Sequence, residues 1–387
     1  MAGSTRVHAS GDGSGRLCPG RHVVESHMSL SRLNSVMPTS LLGTSRTSLS
    51  RLLSRRREPS YRGDQIFRWI HERRETDFHA MSDLPAALRT SLARDYTVAR
   101  PQAAGRSQAD DGTSKWLLRL ADGAEIETVF IPSGDRLTLC LSSQVGCAFG
   151  CTFCATAAMG RIRDLTAAEI IGQVLTLLEG HAIAPDTRFN VVFMGMGEPL
   201  DNFDEVMTAF DILTDPLGAG LSWRRITLST VGHVDGIRRL GTRQHRPRLA
   251  VSLNATTDIL RSRIMPINRK WPLAALREAM AAFPVRPGER ITCEYVLMAG
   301  ETDGREDARR LARLLHGLPA RVNLIPWNPS PGLPHARPDN ATIESFRDEL
   351  LRRGLDASIR FSRGGETAAA CGQLVTSRDA SPGRQHP

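Results

Sequence analysis

Residues 142–160 read SSQVGCAFGCTFCATAAMG, with Cys147, Cys151 and Cys154 at C-x3-C-x2-C spacing and Phe153 just before the last cysteine. Three thiolates can hold three irons of a cubane 4Fe–4S cluster and leave the fourth iron open. Electron-transfer clusters usually close that position with a fourth cysteine. Structural zinc sites also want four ligands, often in C-x2-C and H-x3-H pairs, and no fourth Cys or His stands at short spacing here. The stretch therefore predicts one cluster per chain, held by three cysteines and built to bind and cleave a small molecule.

The surrounding pattern predicts an α/β fold. The segments RLTLCLSS, FNVVFMGM, RRITLST, RLAVSLN, RITCEYVLM and RVNLIPW read as short strands, and helical periodicity at about 166–180, 203–214, 271–283 and 304–316 separates most of them. Six such units mean parallel strands with crossover helices, in an open doubly wound sheet or a partial (β/α) barrel. Either way ligands gather where strands end, and there lie the cysteines, GMGEPL (195–200), STVG, SLNA and PWNP.

Five regions are expected. Residues 1–57 are rich in Ser, Gly and Arg and read as a disordered basic tail that holds Cys18 and two internal methionines, Met28 and Met37. Residues 58–103 read as a helical accessory domain, with Ile66, Phe67, Trp69 and Ile70 on one stripe and Ser82 or Asp83 capping a second helix. Residues 104–132 read as a β-hairpin with ADG as its turn and Trp116, Leu118, Ile126 and Val129 buried. The catalytic core is 133–372, and 373–387 is a polar tail.

The chain has 387 residues, 41% of them hydrophobic, a net charge of +9 and a pI of about 9.7. Of its 50 basic residues only Lys115 and Lys270 are lysines. The excess suits a polyanionic partner. Seven cysteines in so long a chain do not read as a disulfide scaffold. No stretch suggests a membrane span or a signal peptide, so a reducing cytoplasm is expected.

Taken together, the cysteine motif, GMGEPL, TLSTVG (227–232), NLIPWNP (323–329) and AACGQL (369–374) resemble the RlmN/Cfr family of radical S-adenosylmethionine (SAM) enzymes. The resemblance covers about residues 58–375. It implies a partial (β/α)6-type radical SAM barrel and methylation of an adenine carbon in RNA, most naturally C2 of an adenine in 23S rRNA, with tRNA as a further candidate. It implies two SAM molecules per turnover and an external electron donor such as a flavodoxin or ferredoxin. A monomer is the default.

The same resemblance implies the site. Cys147, Cys151 and Cys154 match the cluster ligands. Cys371 matches the cysteine that is itself methylated, a thiolate being the natural nucleophile for that displacement. Cys140 matches the cysteine that releases product through a transient disulfide with Cys371. Glu127 matches the proton acceptor; strand alternation puts Glu125 on the same face, and only the family register favours Glu127. SAM contacts are expected from Gly197, Glu198, Ser229, Ser252, Leu253, Asn254 and Asn328. The family usually has SLHA where this chain has SLNA, and an acidic RGDDIDAACGQL where it has RGGETAAACGQL. Cys293 reads as a core residue and His233 as a loop residue. Arg68, Arg73 and Arg74 are a candidate RNA handle; the arginines of 304–316 read partly as a solvated face.

Three other readings compete. A Cfr-type C8 methyltransferase, whose product shields the ribosome from antibiotics, would use the same residues. A non-catalytic RNA-binding protein with a structural zinc would need neither Cys140 nor Cys371. A radical SAM enzyme acting on something other than RNA is the third.

Overall fold

The computed structural model describes residues 38–361, 363–364 and 367–375. The expectations for residues 1–37, Cys18 among them, lie outside the described residues, as does 376–387.

The first described elements are β1 (Thr39–Ser40), α1 (Arg46–Arg55), α2 (Tyr61–His71), α3 (Ala86–Asp95) and β2 (Tyr96–Thr97). The basic tail therefore ends earlier than expected. Ser45 caps α1 by accepting from the Ser48 amide, and Leu49 and Leu53, one turn apart, are buried. Two apolar contacts in a Ser/Arg-rich stretch are a weak periodic signal, which is why the helix reads as tail. In α2 the expected stripe holds: Ile66, Phe67 and Ile70 are fully buried. Asp83 is not a helix cap. Its Oδ1 accepts from Trp69 Nε1 at 2.6 Å, and α3 starts after Pro85. These helices lie against the core, because a Cβ on Gly43 would sit 2.4 Å from the Ala168 amide and one on Gly218 would sit 3.1 Å from the Phe67 ring.

Next come β3 (Gln102–Gln108), β4 (Ser114–Arg119), β5 (Glu125–Ser133) and β6 (Arg136–Cys140). Trp116, Leu118, Ile126 and Val129 are buried as expected, and residues 126–130 are buried on both faces of β5. The short pair β7 (Gln144–Gly146) and β8 (Arg161–Asp164) brackets the cysteine loop and α4 (Ala155–Ala158). The core continues through α5 (Ala167–Gly180), β9 (Asn190–Phe193), α6 (Phe203–Thr214), β10 (Ile226–Thr230), α7 (Val234–Gly241), β11 (Arg248–Ser252), α8 (Asp258–Ile264) and α9 (Leu273–Ala282). It ends with β12 (Ile291–Leu297), α10 (Arg305–Leu315), β13 (Ala320–Pro326), α11 (Asn340–Arg352) and β14 (Ala357–Ile359).

One 10-stranded sheet runs in the order β14-β13-β12-β11-β10-β9-β6-β5-β4-β3. From β6 to β14 every neighbouring pair is parallel, and β6-β5-β4-β3 is antiparallel. The parallel strands follow chain order without reversal, which is barrel winding rather than the doubly wound alternative. The six expected strands are all present, and β14 is an addition. Its three residues are too short to show a period.

Candidate active site

The cysteine loop is shaped by glycines that accept no side chain. Gly146 has φ +75°, and a Cβ there would lie 1.8 Å from the Gly160 carbonyl oxygen; that same oxygen accepts from the Cys147 amide at 2.9 Å. Further along, Thr152 is held twice. Its amide donates to Ile264, and its Oγ1 lies 2.9 Å from Nε2 of His335, whose Nδ1 is 2.6 Å from Glu301. Cys147 and Cys151 are buried and Cys154 is partly exposed. All three line a cavity of about 150 Å³ whose other walls include Phe153, Gly197, Glu198, Ser229, Ser252, Asn254, Glu294 and Asn328. Burial pushes the Cys147 thiol up to about 12, and burial followed by its two cysteine neighbours also pushes Cys151 up. A cation beside these thiols would favour their ionised form. Among the described residues no three His, Cys, Asp or Glu side chains are gathered closely enough to hold a single metal ion, the three loop cysteines included.

A second cavity, of about 320 Å³, adjoins the first. Cys140 lines only this one, whereas Cys371 and Met194 line both. The two sequence-predicted catalytic cysteines thus meet at one cavity, and Cys371 also faces the cluster loop. Both thiols are free. Burial raises Cys140 to about 12, with the nearby Cys371 adding to it. The Cys371 segment is tied down on every side. Asn328 Nδ2 donates to the Cys371 carbonyl at 3.1 Å, the Ala155 amide to Gly372 at 2.7 Å, Thr156 Oγ1 to Leu374 at 2.7 Å and Gln373 Nε2 to Pro329 at 2.6 Å. Residues 373–375 are therefore part of the site rather than a polar tail.

The sheet register puts Val129 of β5 opposite Cys140 of β6. Glu127, two residues from Val129, shares that face. It is buried, with Oε1 2.8 Å from Lys115 Nζ and Oε2 accepting from the Val375 amide at 2.8 Å. Burial raises its pKa, opposed by Lys115. Glu127 lines neither cavity. Glu125 pairs with Arg119 at 2.8 Å, which separates the two glutamates that alternation leaves equivalent.

The expected SAM contacts divide. Glu198 is fully buried, accepts from the Leu200 amide at 3.0 Å and the Val231 amide at 2.8 Å, and burial raises its pKa to about 7. Ser229, Ser252 and Asn328 line the cluster cavity. Gly197, at φ +96°, lines it too, but its close neighbour is Gln144, whose Cβ would lie 2.5 Å from an added Cβ. Asn254 sits in the left-handed region at φ +56°, where Asn is tolerated. Its Oδ1 accepts from the Val296 amide at 3.0 Å and its Nδ2 points at Met265 Sδ, so its polar atoms join β11 to β12 rather than standing free. Leu253 is a core residue outside the cavity lining, and its carbonyl accepts from Arg261 Nε at 3.0 Å.

Two residues escaped sequence reasoning. Arg261, fully buried, donates to Leu253, Val231, Ser252 and Asn268 and so ties the loops after β10 and β11 together. Glu294, buried in β12, accepts at Oε1 from Asn323 Nδ2 at 3.1 Å, while Oε2 has no partner among the described residues. An orphaned carboxylate oxygen on a residue lining the cluster cavity calls for a hydroxyl or amine donor from a ligand. Cys293 is core and His233 caps α7 by accepting from Gly236. The arginines proposed as an RNA handle are partly engaged: Arg74 donates to Ile183 and Ala184, and Arg73 covers the Trp69 ring.

Known proteins resemble this chain over most of its length. Residues 141–314 match the Radical SAM superfamily model and residues 39–98 the Ribosomal RNA large subunit methyltransferase N-terminal domain. The chain is 47% identical over 342 residues to the dual-specificity RNA methyltransferase RlmN of Anaeromyxobacter dehalogenans, covering 87% of this chain and 91% of that one. It is also 47% identical over 339 residues to the protein of the same name from Halorhodospira halophila, covering 87% and 94%. A crystal structure of a radical SAM methyltransferase from Sphaerobacter thermophilus superposes with a TM-score of 0.83 at 43% identity, covering 87% of this chain and 99% of that one.

Proposed function

The chain belongs to the RlmN family of radical SAM RNA methyltransferases, and we propose that it methylates C2 of an adenine in 23S rRNA, with tRNA as a second substrate. The observation that carries the reading is Cys371, which lines both the cavity of the three cluster cysteines and the cavity of Cys140.

Cys147, Cys151 and Cys154 would hold the 4Fe–4S cluster, with Glu198, Ser229, Ser252 and Asn328 around SAM. When bound, the cluster supplies the electron that turns SAM into a radical source. Cys371 carries the methyl group on its sulfur. The carbon of that S-methyl group would bond to the adenine carbon, tethering RNA to Cys371 as a covalent adduct. Cys140 would then attack the Cys371 sulfur, forming the S–S bond as the S–C bond breaks and leaving its electron pair, with a proton, on the product's methyl carbon; a two-electron reductant would restore both thiols. Glu127 takes the ring proton, and to do so its Oε2 must leave the Val375 amide. The Asn254 amide positions the strand ends beside SAM instead of contacting it as a charged donor. A C8 product finds no support in the RlmN-named relatives. A cytoplasmic monomer completes the reading, and among the described residues no helix is long and apolar enough to cross a membrane.

Mass spectrometry of nucleosides from RNA treated with the anaerobically reconstituted enzyme, SAM and a reductant tests this. 2-Methyladenosine is expected. 8-Methyladenosine would move the enzyme to the C8 reaction, and SAM cleavage with neither product would overturn the RNA substrate.

A further inference from the structure

The cavity shared by Cys140 and Cys371 carries charge of one sign. Arg136, Arg360 and Arg363 line it, and among the described residues no acidic side chain does. None of the three forms an ion pair among the described residues; Arg363 only donates to the Pro132 carbonyl at 2.7 Å. Some arginines elsewhere are neutralised by carboxylates, whereas others, such as Arg74 and Arg261, reach only carbonyls and an amide oxygen. On α10, Arg305 and Arg309 reach Glu349, Arg310 reaches Asp307 and Arg313 reaches Glu306. Phe361 completes the rim. It is 59% exposed and is the only one of the five exposed large apolar side chains that lines this cavity.

An uncovered aromatic face beside arginines that form no close ion pair is the combination that single-stranded nucleic acid uses. Bases stack on the ring and phosphates meet the guanidinium forks. The volume, about 320 Å³, lies at the low end of pockets that hold small ligands, roughly 300–1,000 Å³. It suits one unstacked nucleotide and excludes a duplex. A base reaching Cys371 must in any case leave its stack.

We propose that this cavity is the port by which the target nucleotide reaches Cys140 and Cys371, with Phe361 stacking on the base beside the target and Arg136 and Arg360 holding the flanking phosphates. The proposal rests on the RNA-methylating reading and moves the RNA contact from the accessory helices to the rim of the catalytic cavity. Recognition here is of backbone and stacking, so it serves any RNA that presents an unpaired adenine.

The test uses reconstituted holoenzyme and an RNA hairpin whose loop carries the methylated adenine. Binding is followed by fluorescence anisotropy at several salt concentrations, alongside kcat and KM. Phe361→Ala should weaken the RNA Kd about tenfold, near 1.4 kcal/mol, and raise KM far more than it lowers kcat, with Phe361→Trp restoring both. Arg136→Gln should reduce the slope of log K against log salt by about 0.7. If the wild type methylates the hairpin while both variants keep its Kd and salt slope, the port is wrong and the function stands. If the wild type neither binds nor methylates any RNA but binds an acidic peptide through Phe361, both readings fall.

Discussion

Nζ of Lys115 lies 2.8 Å from Oε1 of Glu127, on the inner face of the antiparallel strands. It is one of only two lysines in a chain that otherwise uses arginine. Burial raises the Glu127 pKa and Lys115 opposes that rise. Removing the ammonium takes away the opposition, so a higher pH is needed before Glu127 can act as a base. Lys115→Met should shift the pH profile for release of the RNA–protein adduct to higher pH, and Lys115→Arg should keep the wild-type profile. Adduct lifetime on denaturing gels between pH 6 and 9 checks it. An unshifted Lys115→Met profile would remove Glu127 from the role of proton acceptor.

The two cysteines at the shared cavity should fail differently. Cys371→Ala loses the methyl carrier, and no methylated adenine is expected. Cys140→Ala can still join RNA to protein but cannot release it, so a covalent complex should accumulate to roughly one per enzyme. Mass spectrometry of intact protein after nuclease digestion distinguishes the two. Normal turnover by either variant would sink the two-cysteine mechanism.

Glu198 supplies a pH signature for SAM binding. Its buried carboxyl titrates near 7, and only its ionised form attracts the SAM ammonium group. Affinity should therefore fall as pH drops below that value, by up to about tenfold per unit. Glu198→Gln should bind more weakly at pH 8 and lose most of the pH dependence. Equilibrium dialysis on the reconstituted enzyme from pH 6 to 8 measures both.

Asn254 should be worth more to stability than its size suggests. Asn254→Ala removes the partner of the half-buried Val296 amide, at about 1 kcal/mol, and forces a Cβ residue without a local polar partner to keep φ +56°. Asn254→Gly loses the hydrogen bond but fits the backbone. Thermal unfolding should rank wild type above Gly and Gly above Ala. An equal Tm for Gly and Ala would show that the left-handed backbone is not part of the cost.

Much of this was legible in the sequence because its signals are local. Cysteine spacing, glycine-rich strand ends and apolar alternation need no knowledge of the rest of the chain. What stayed hidden depends on contacts distant in sequence. Glu125 and Glu127 are equivalent by alternation and are told apart only by Arg119, Lys115 and the arriving Val375 amide. Arg261 and Glu294 read as ordinary charges in a charged chain until the barrel closes over them. Asn254 read as a ligand contact because a free amide and one pairing two strand ends look alike in sequence. Helix α1 was missed because its two buried leucines stand among serines and arginines that carry no period.

The turn between β5 and β6 holds only Gly134 and Asp135 between the paired residues Ser133 and Arg136. Surface turns of this kind ordinarily absorb inserted residues with little effect. This one sets the count that puts Val129 against Cys140 and keeps Glu127 on the same face. Adding or deleting one residue reverses every side chain that follows in the strand. The length of this turn is therefore as much a part of the site as the residues it aligns, and Gly134, at φ +55°, restricts its composition as well.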